Sequence, residues 1–339
     1  MNEIKYREDA RASELYKKNY LKGIEQVIAK REREALEERI NYTKDIFTNP
    51  EKYREDLKEM LGWPLTETCV RLKPVAQFEK LSEEEGFDLY RVTIQVLEEF
   101  EITGLFFQRR NENLPLIIVQ HGKEGTPELI SNVYGNTFNY NHITERMLSQ
   151  GVHVFVPQLL LWNKENYPVD YDRDNLDARL KRVGSSITAL EVYAIMRIMD
   201  FFEKQDYVTN FGMIGLSYGG FYTLFTTALD TRIKSAVSCS FFNNREKNAW
   251  TDWTWKDSAF KFCDAEIACL IYPRKFWIEV GKRDEAFDII GARTEIEKLR
   301  EMCKEVGTDW VEFIEFDGIH EFCLDDEPLV ELADIVRNH

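Results

Sequence analysis

A serine between spaced glycines is the feature best suited to do chemistry. Residues 211–220 read FGMIGLSYGG, in which Gly215, Leu216, Ser217, Tyr218 and Gly219 spell G-x-S-x-G. An apolar run precedes the motif and a helical stretch follows it, which is the context it requires. The chain must reverse sharply with Ser217 at the apex, and side chains at the flanking positions would collide with that turn. The serine oxygen then stands at a helix N-terminus, whose dipole favours developing negative charge. The chemistry expected is nucleophilic attack; the rival reading is a glycine-rich helix start packed close to a sheet.

A hydroxyl is a weak nucleophile until a base takes its proton, and the base needs an orienting carboxylate. The chain offers five histidines: His121, His142, His153, His320 and His339. His320, in EFDGIHEF, follows the last candidate strand, and Asp284, in FWIEVGKRDEAF, follows the strand before it. The intervals 284 − 217 = 67 and 320 − 284 = 36 leave room for a strand–helix unit each. Glu285, Asp288 and Asp317 are alternative acids, less well placed after a strand. An acyl-transfer site also needs two backbone donors for an oxyanion. Tyr218 supplies one, and the loop closing LPLIIVQHGKEG supplies the other through Lys123, with Gly122 as the alternative. His121 reads as a structural loop residue.

These residues must be held by a larger frame. From about residue 70, strand-like runs alternate with helical stretches: VRLKPVAQF, DLYRVTIQVLEEFEITGLFFQR (two antiparallel strands), LPLIIVQHG, HVFVPQ, FGMIGLS, IKSAVSCSFF, KFWIEVGKRD and WVEFIEFDG. Short continuous apolar runs such as LIIV and MIGL suit parallel strands covered on both faces. Helices are expected over SSITALEVYAIMRIMDFFEKQ and AFDIIGARTEIEKLREMCKEVG. Residues 1–60 differ. They carry charge runs such as KREREALEERI, one glycine, and apolar Ile24, Val27, Ile28 and Leu36 at helical spacing, so two or three amphipathic helices are expected there. Such helices pack on the main domain or on a second subunit, which leaves a homo-oligomer open.

Composition excludes several classes. With 44 Lys+Arg against 60 Asp+Glu the formal charge is −16, which disfavours nucleic acid and anionic membrane as main partners. At 44% hydrophobic residues the chain can bury a large core. No apolar run approaches 18 residues and no signal-like h-region opens the chain. The six cysteines are scattered without a CxxC pair, so they read as reduced thiols and the expected compartment is the cytoplasm. No metal-ligand spacing appears.

QHG, GLSYGG, YPRKFWIEVGKRDEAF and GIH together resemble the α/β-hydrolase superfamily, and the likeness spans most of residues 70–339. It implies an α/β-hydrolase fold: a mostly parallel eight-stranded sheet flanked by helices. A helical extension would occupy residues 1–64, and the hydrolase domain 65–339 would carry lid-like insertions near 159–184 and 241–272. Within the superfamily the chain resembles the dienelactone-hydrolase-like and acetylxylan-esterase-like branch, through REDLKEMLGWP and through Pro273-Arg274. Dienelactone hydrolases use a cysteine nucleophile, so Ser217 shifts the expectation toward ester hydrolysis. The resemblance implies an acyl-enzyme on Ser217, with His320 as base and Asp284 as orienting acid, no cofactor, and a small-molecule ester as partner. Trp162, Trp250 and Trp253 are the candidate pocket aromatics, with Tyr167, Tyr171 and Trp255 beside them. A peptidase of prolyl-oligopeptidase type and a catalytically silent binding fold remain the rival readings.

Overall fold

A computed structural model of the chain describes residues 8–66, 73–163, 167–245 and 250–339. The strand-forming runs pair into one sheet: β1 Ala76–Glu83, β2 Phe87–Leu97, β3 Phe100–Arg109, β4 Leu114–Gln120, β5 His153–Pro157, β6 Val208–Leu216, β7 Ile233–Cys239, β8 Lys275–Gly281 and β9 Val311–Phe316. Their order is β1-β2-β3-β5-β4-β6-β7-β8-β9. The first three strands form an antiparallel meander, β3 runs antiparallel to β5, and β5 through β9 are parallel. The sheet thus has nine strands among the described residues, one more than the resemblance implies. β1 overlaps the end of the candidate run VRLKPVAQF, lies at the edge and pairs only with β2. It runs past Phe78 to Glu83 over mostly exposed residues, so no apolar pattern marked its end. Cys69 and the start of VRLKPVAQF lie outside the described residues.

The central strands are buried along nearly their whole length, as parallel strands with helices on both faces must be. The helices are α1 Ala10–Tyr42, α2 Pro50–Leu61, α3 Pro127–Ile130, α4 Ile143–Ser149, α5 Arg173–Lys181, α6 Ile187–Phe202, α7 Tyr218–Leu229, α8 Ser258–Lys261, α9 Asp264–Cys269, α10 Ile289–Met302 and α11 Glu327–Asn338. One core packs α2, α6, α7, α9 and α10 on the first face, with Phe106, Phe155, Met213 and Ile278 pointing into it. The other packs α4 and α11 over Ile117, Val119, Ile214 and Trp277. Alternate residues of β8 therefore serve opposite cores, the period of two expected of a strand.

The N-terminal segment is helical, but only its second half packs. Ala35 and Arg39 of α1 are buried, and the Arg39 guanidinium bonds Glu266 Oε1 at 3.0 Å and the carbonyl of Ala259. Ile24, Val27, Ile28 and Leu36 instead lie exposed, although their spacing suggested a buried stripe, and Tyr16, Tyr20 and Leu21 are exposed with them. On α2, buried Arg54 donates to Ala228 O at 2.9 Å, while Arg274 donates to Thr227 O at 2.6 Å. Two cations thus meet the carbonyl end of α7, where the helix dipole is negative. Burial, and then the neighbouring Arg54, pull Arg274 down to about 10. The Pro273-Arg274 pair noted in the sequence has this structural use.

Candidate active site

Ser217 stands where β6 ends and α7 begins, with φ 59° and ψ −121°. A non-glycine residue in that region costs on the order of 1–3 kcal/mol and persists only when its surroundings force it. The surroundings are tight. Ser217 N–H donates to Cys239 O at 2.9 Å, tying the apex to β7. A Cβ on Gly215 would lie 2.2 Å from Gly219 O, and one on Gly219 would lie 2.1 Å from Gln120 O. The two glycines of the motif are therefore required by backbone contact.

Asp284 follows β8 and His320 follows β9, and the folded sheet brings them together. His320 Nδ1 lies 2.8 Å from Asp284 Oδ2. The other carboxylate oxygen, Oδ1, accepts from the N–H groups of Ala286 at 2.8 Å and Phe287 at 2.9 Å. With the carboxylate buried and held on both oxygens, the Nδ1 proton faces it and Nε2 is left with a free lone pair. The ring stacks on Phe287 with centroids 5.8 Å apart. The alternative acids are occupied or remote. Asp288 caps α10 through Gly291 N, Asp317 pairs with Arg283 at the surface, and Glu285 is exposed.

Ser217 and His320 line one open cleft of about 440 Å³, together with Gly122, Lys123, Tyr218 and Trp250. The loop after β4 approaches the serine closely: a Cβ on Gly122 would sit 3.1 Å from Ser217 Cβ. Gly122 N–H already donates to Tyr140 Oη at 3.0 Å. The backbone donor of Gly122 is therefore engaged by a side chain of another loop. His121 is buried with both ring nitrogens engaged, Nδ1 on Gly122 O at 3.0 Å and Nε2 on Leu159 N–H at 3.2 Å. Burial pushes it down to about 4, so it stays neutral and structural.

Of the three tryptophans singled out, only Trp250 reaches the cleft. Trp253 is packed behind it, its ring 4.5 Å from Trp250 and 4.6 Å from Tyr218. Trp162 donates to Val169 O at 2.9 Å and lines a separate cavity of about 290 Å³ beside α6. The cleft also takes Phe138, Asn139, Tyr140, Asn163 and Phe287, which sequence reasoning missed. The run NTFNYN over 136–141 was the available signal, since asparagine tolerates left-handed backbone in irregular turns.

A buried polar network backs the wall. Arg173 Nε donates to Asp252 Oδ2 at 2.7 Å, and its Nη2 donates to Glu191 Oε2 at 2.9 Å and Tyr222 Oη at 2.8 Å. Tyr218 Oη donates to Asp252 Oδ2 at 3.0 Å. Segments 159–184 and 241–272 are thereby latched to each other and to the first residue of α7.

No protein-family model matches the chain, and no curated relative does. Solved structures do. The chain superposes on a glucuronoyl esterase of Solibacter usitatus with TM-score 0.63 at 14% identity, covering 84% of this chain and 91% of that one. A Bacteroides fragilis protein put forward as an acetyl xylan esterase gives TM-score 0.62 at 18% identity, over 78% and 74%. Acetyl xylan esterase 1 of Thermoanaerobacterium gives 0.53 at 13% identity, over 85% and 94%. The fold is that of the α/β-hydrolases. Identities this low establish the architecture and leave the chemistry to the site itself. No helix among the described residues is long and apolar enough to cross a membrane.

Proposed function

We propose that this α/β-hydrolase-fold chain is a serine carboxylesterase acting on small esters through Ser217, His320 and Asp284. One observation carries the reading: a serine held at positive φ on a strand–helix apex shares its cleft with an imidazole whose Nδ1 is engaged by a buried carboxylate. His320 Nε2 takes the serine proton as Oγ attacks the ester carbonyl, and returns it to the leaving alcohol. Asp284 holds the imidazole tautomer and stabilises the imidazolium. The N–H groups of Lys123 and Tyr218 receive the oxyanion. Water then gives a proton to His320 as its oxygen attacks the acyl carbon, the Ser217 Oγ–acyl bond breaks to release the acid, and His320 returns the proton to Oγ. The cleft is open and lined by Asn139, Lys123 and Trp250, which suits a short acyl group on a polar alcohol such as a sugar. The acetyl xylan and glucuronoyl esterases on which the chain superposes point the same way. Five described cysteines are free and buried, in keeping with a cytoplasmic protein.

The test is a panel of p-nitrophenyl esters, acetylated sugars and aminoacyl anilides, run with wild type and Ser217→Ala. Ester turnover lost in Ser217→Ala, with one fluorophosphonate adduct on Ser217, is expected. Preferential anilide cleavage would favour a peptidase, and no turnover of any class would favour a binding role.

A further inference from the structure

We infer that the turn Phe138–Asn141 is a brace that sets the base loop and the oxyanion loop at a fixed separation, with Asn139 and Tyr140 as positioning residues. The inference rests on the reading of Ser217, His320 and Asp284 given above. Neither loop is held by regular structure. Residues 317–326 carry His320 without forming helix or strand, and residues 121–125 follow β4 without entering α3. Each must find partners for its backbone elsewhere.

Some lie on the flanking elements, with Arg283 N–H donating to Gly318 O at 2.9 Å, Arg146 to Cys323 O at 2.8 Å and Glu124 N–H to Leu161 O at 2.6 Å, but among the described residues one turn alone reaches both loops beside the cleft. Asn139 brackets the base: its Nδ2 donates to His320 O at 3.1 Å, and its own carbonyl accepts from Phe322 N–H at 3.0 Å. Asn141 Nδ2 adds bonds to Phe322 O at 2.7 Å and Glu321 Oε2 at 3.0 Å. Between them, buried Tyr140 turns the other way and accepts Gly122 N–H at 3.0 Å. The fit is close enough that a Cβ on Gly125 would lie 2.1 Å from Tyr140 Oη. Burial holds the phenol well above its ordinary range, so Oη remains a neutral hydroxyl able to accept that bond. One four-residue turn therefore grips the base on one side and the oxyanion loop on the other.

The backbone of the turn is strained in the same place. Phe138, Asn141 and His142 have φ of 46°, 48° and 56°. For Asn this is tolerable, but for Phe138 it is costly and requires over-determination by neighbours. Phe138, Asn139 and Tyr140 also line the cleft, so substrate sits against the brace itself. Tyr140 has a second consequence. By occupying Gly122 N–H, it leaves Lys123 N–H as the donor that this loop can offer to an oxyanion.

Steady-state kinetics of Tyr140→Phe, Asn139→Ala and Asn139→Asp, each with and without Ser217→Ala, test the brace. A misplacement of a few tenths of an ångström at base or donor costs rate more than binding. We expect kcat to fall about tenfold in each variant with KM within about twofold, and fluorophosphonate labelling of Ser217 to slow in parallel. Asn139→Asp should fall as far as Asn139→Ala, because a carboxylate cannot donate to His320 O. In the Ser217→Ala background, the affinity for uncleaved ester should not move. A lower melting temperature with kcat and KM unchanged at 25 °C would make the turn merely structural and overturn the brace. A raised KM with kcat unchanged would make it a binding wall and overturn it equally. Failure of the two readings is distinguishable: if Ser217→Ala keeps its activity, the triad falls and the brace falls with it, whereas inert Ser217→Ala beside fully active Tyr140→Phe and Asn139→Ala sinks the brace alone.

Discussion

Replacing Arg173 tests how the wall of the cleft is held. Its guanidinium is the cation that Glu191 and Asp252 share, at 2.9 Å and 2.7 Å, and both carboxylates are at most 3% exposed. Two negative charges against one positive leave the cluster one unit short, a deficit that the hydroxyl donors Tyr218 and Tyr222 cover. Arg173→Met keeps most of the apolar stem and strands both carboxylates. Breaking a buried pair in this way costs about 3–5 kcal/mol, mostly as the penalty on the charges left behind. Unfolding entropy of about 2.1 cal/mol/K per residue over this length gives roughly 0.7 kcal/mol/K, so the melting temperature should fall by about 4–7 °C. The measurement is scanning calorimetry at pH 7.5, with ester turnover at 25 °C beside it. Turnover should fall as well, since Asp252 anchors Tyr218, the residue next to the nucleophile. The triple variant Arg173→Met/Glu191→Gln/Asp252→Asn should recover more than half of the thermal loss, because it removes the stranded charges. A triple variant less stable than Arg173→Met would refute the argument that desolvated charge, rather than lost bonding, sets the cost.

Three further outcomes are expected. Asp284→Asn should lower kcat by about 10³–10⁴ with little thermal change, because an amide cannot hold the imidazole tautomer, whereas Asp317→Asn should stay within about twofold; steady-state kinetics on both decide it. Glu279 is buried on β8 near Cys239, and burial raises it to about 7. A carboxyl whose folded value lies above its unfolded 4.5 is no burden below that value and destabilises as pH rises to 7, by on the order of 3 kcal/mol. Urea midpoints at pH 5 and pH 8 should therefore differ less in Glu279→Gln than in wild type, and equal slopes would count against it. Deleting residues 1–30 should leave turnover and melting temperature nearly unchanged, since that half of α1 is exposed, while deleting 1–61 should destabilise strongly by removing buried Tyr53, Leu57 and Leu61.

The sequence by itself determined the local backbone at the motif. G-x-S-x-G between an apolar run and a helix can fold only as a sharp apex, since a Cβ at either glycine meets backbone oxygen at little over 2 Å. Continuous apolar runs likewise fixed buried parallel strands, because such residues have no solvent face to offer. A helix was expected over SSITALEVYAIMRIMDFFEKQ, and α6 forms there with Ser186 accepting Ala189 N–H at its start. Tertiary structure decided everything that depends on distant partners. The edge strand β1 was expected within VRLKPVAQF, but its continuation over exposed residues to Glu83 follows from pairing with β2. Periodicity placed a stripe on α1 but could not say that the domain ends before reaching Tyr16. Trp162, Trp250 and Trp253 are equivalent as residue types, and only loop packing put one in the cleft, one behind it and one in a separate cavity. Sequence reading put Lys123 before Gly122 as a backbone donor, and only the fold shows Gly122 N–H engaged by Tyr140, seventeen positions beyond Lys123. Covalent neighbours dictate the apex, whereas the choice among chemically similar groups is made by hydrogen bonds that close only when the sheet has assembled.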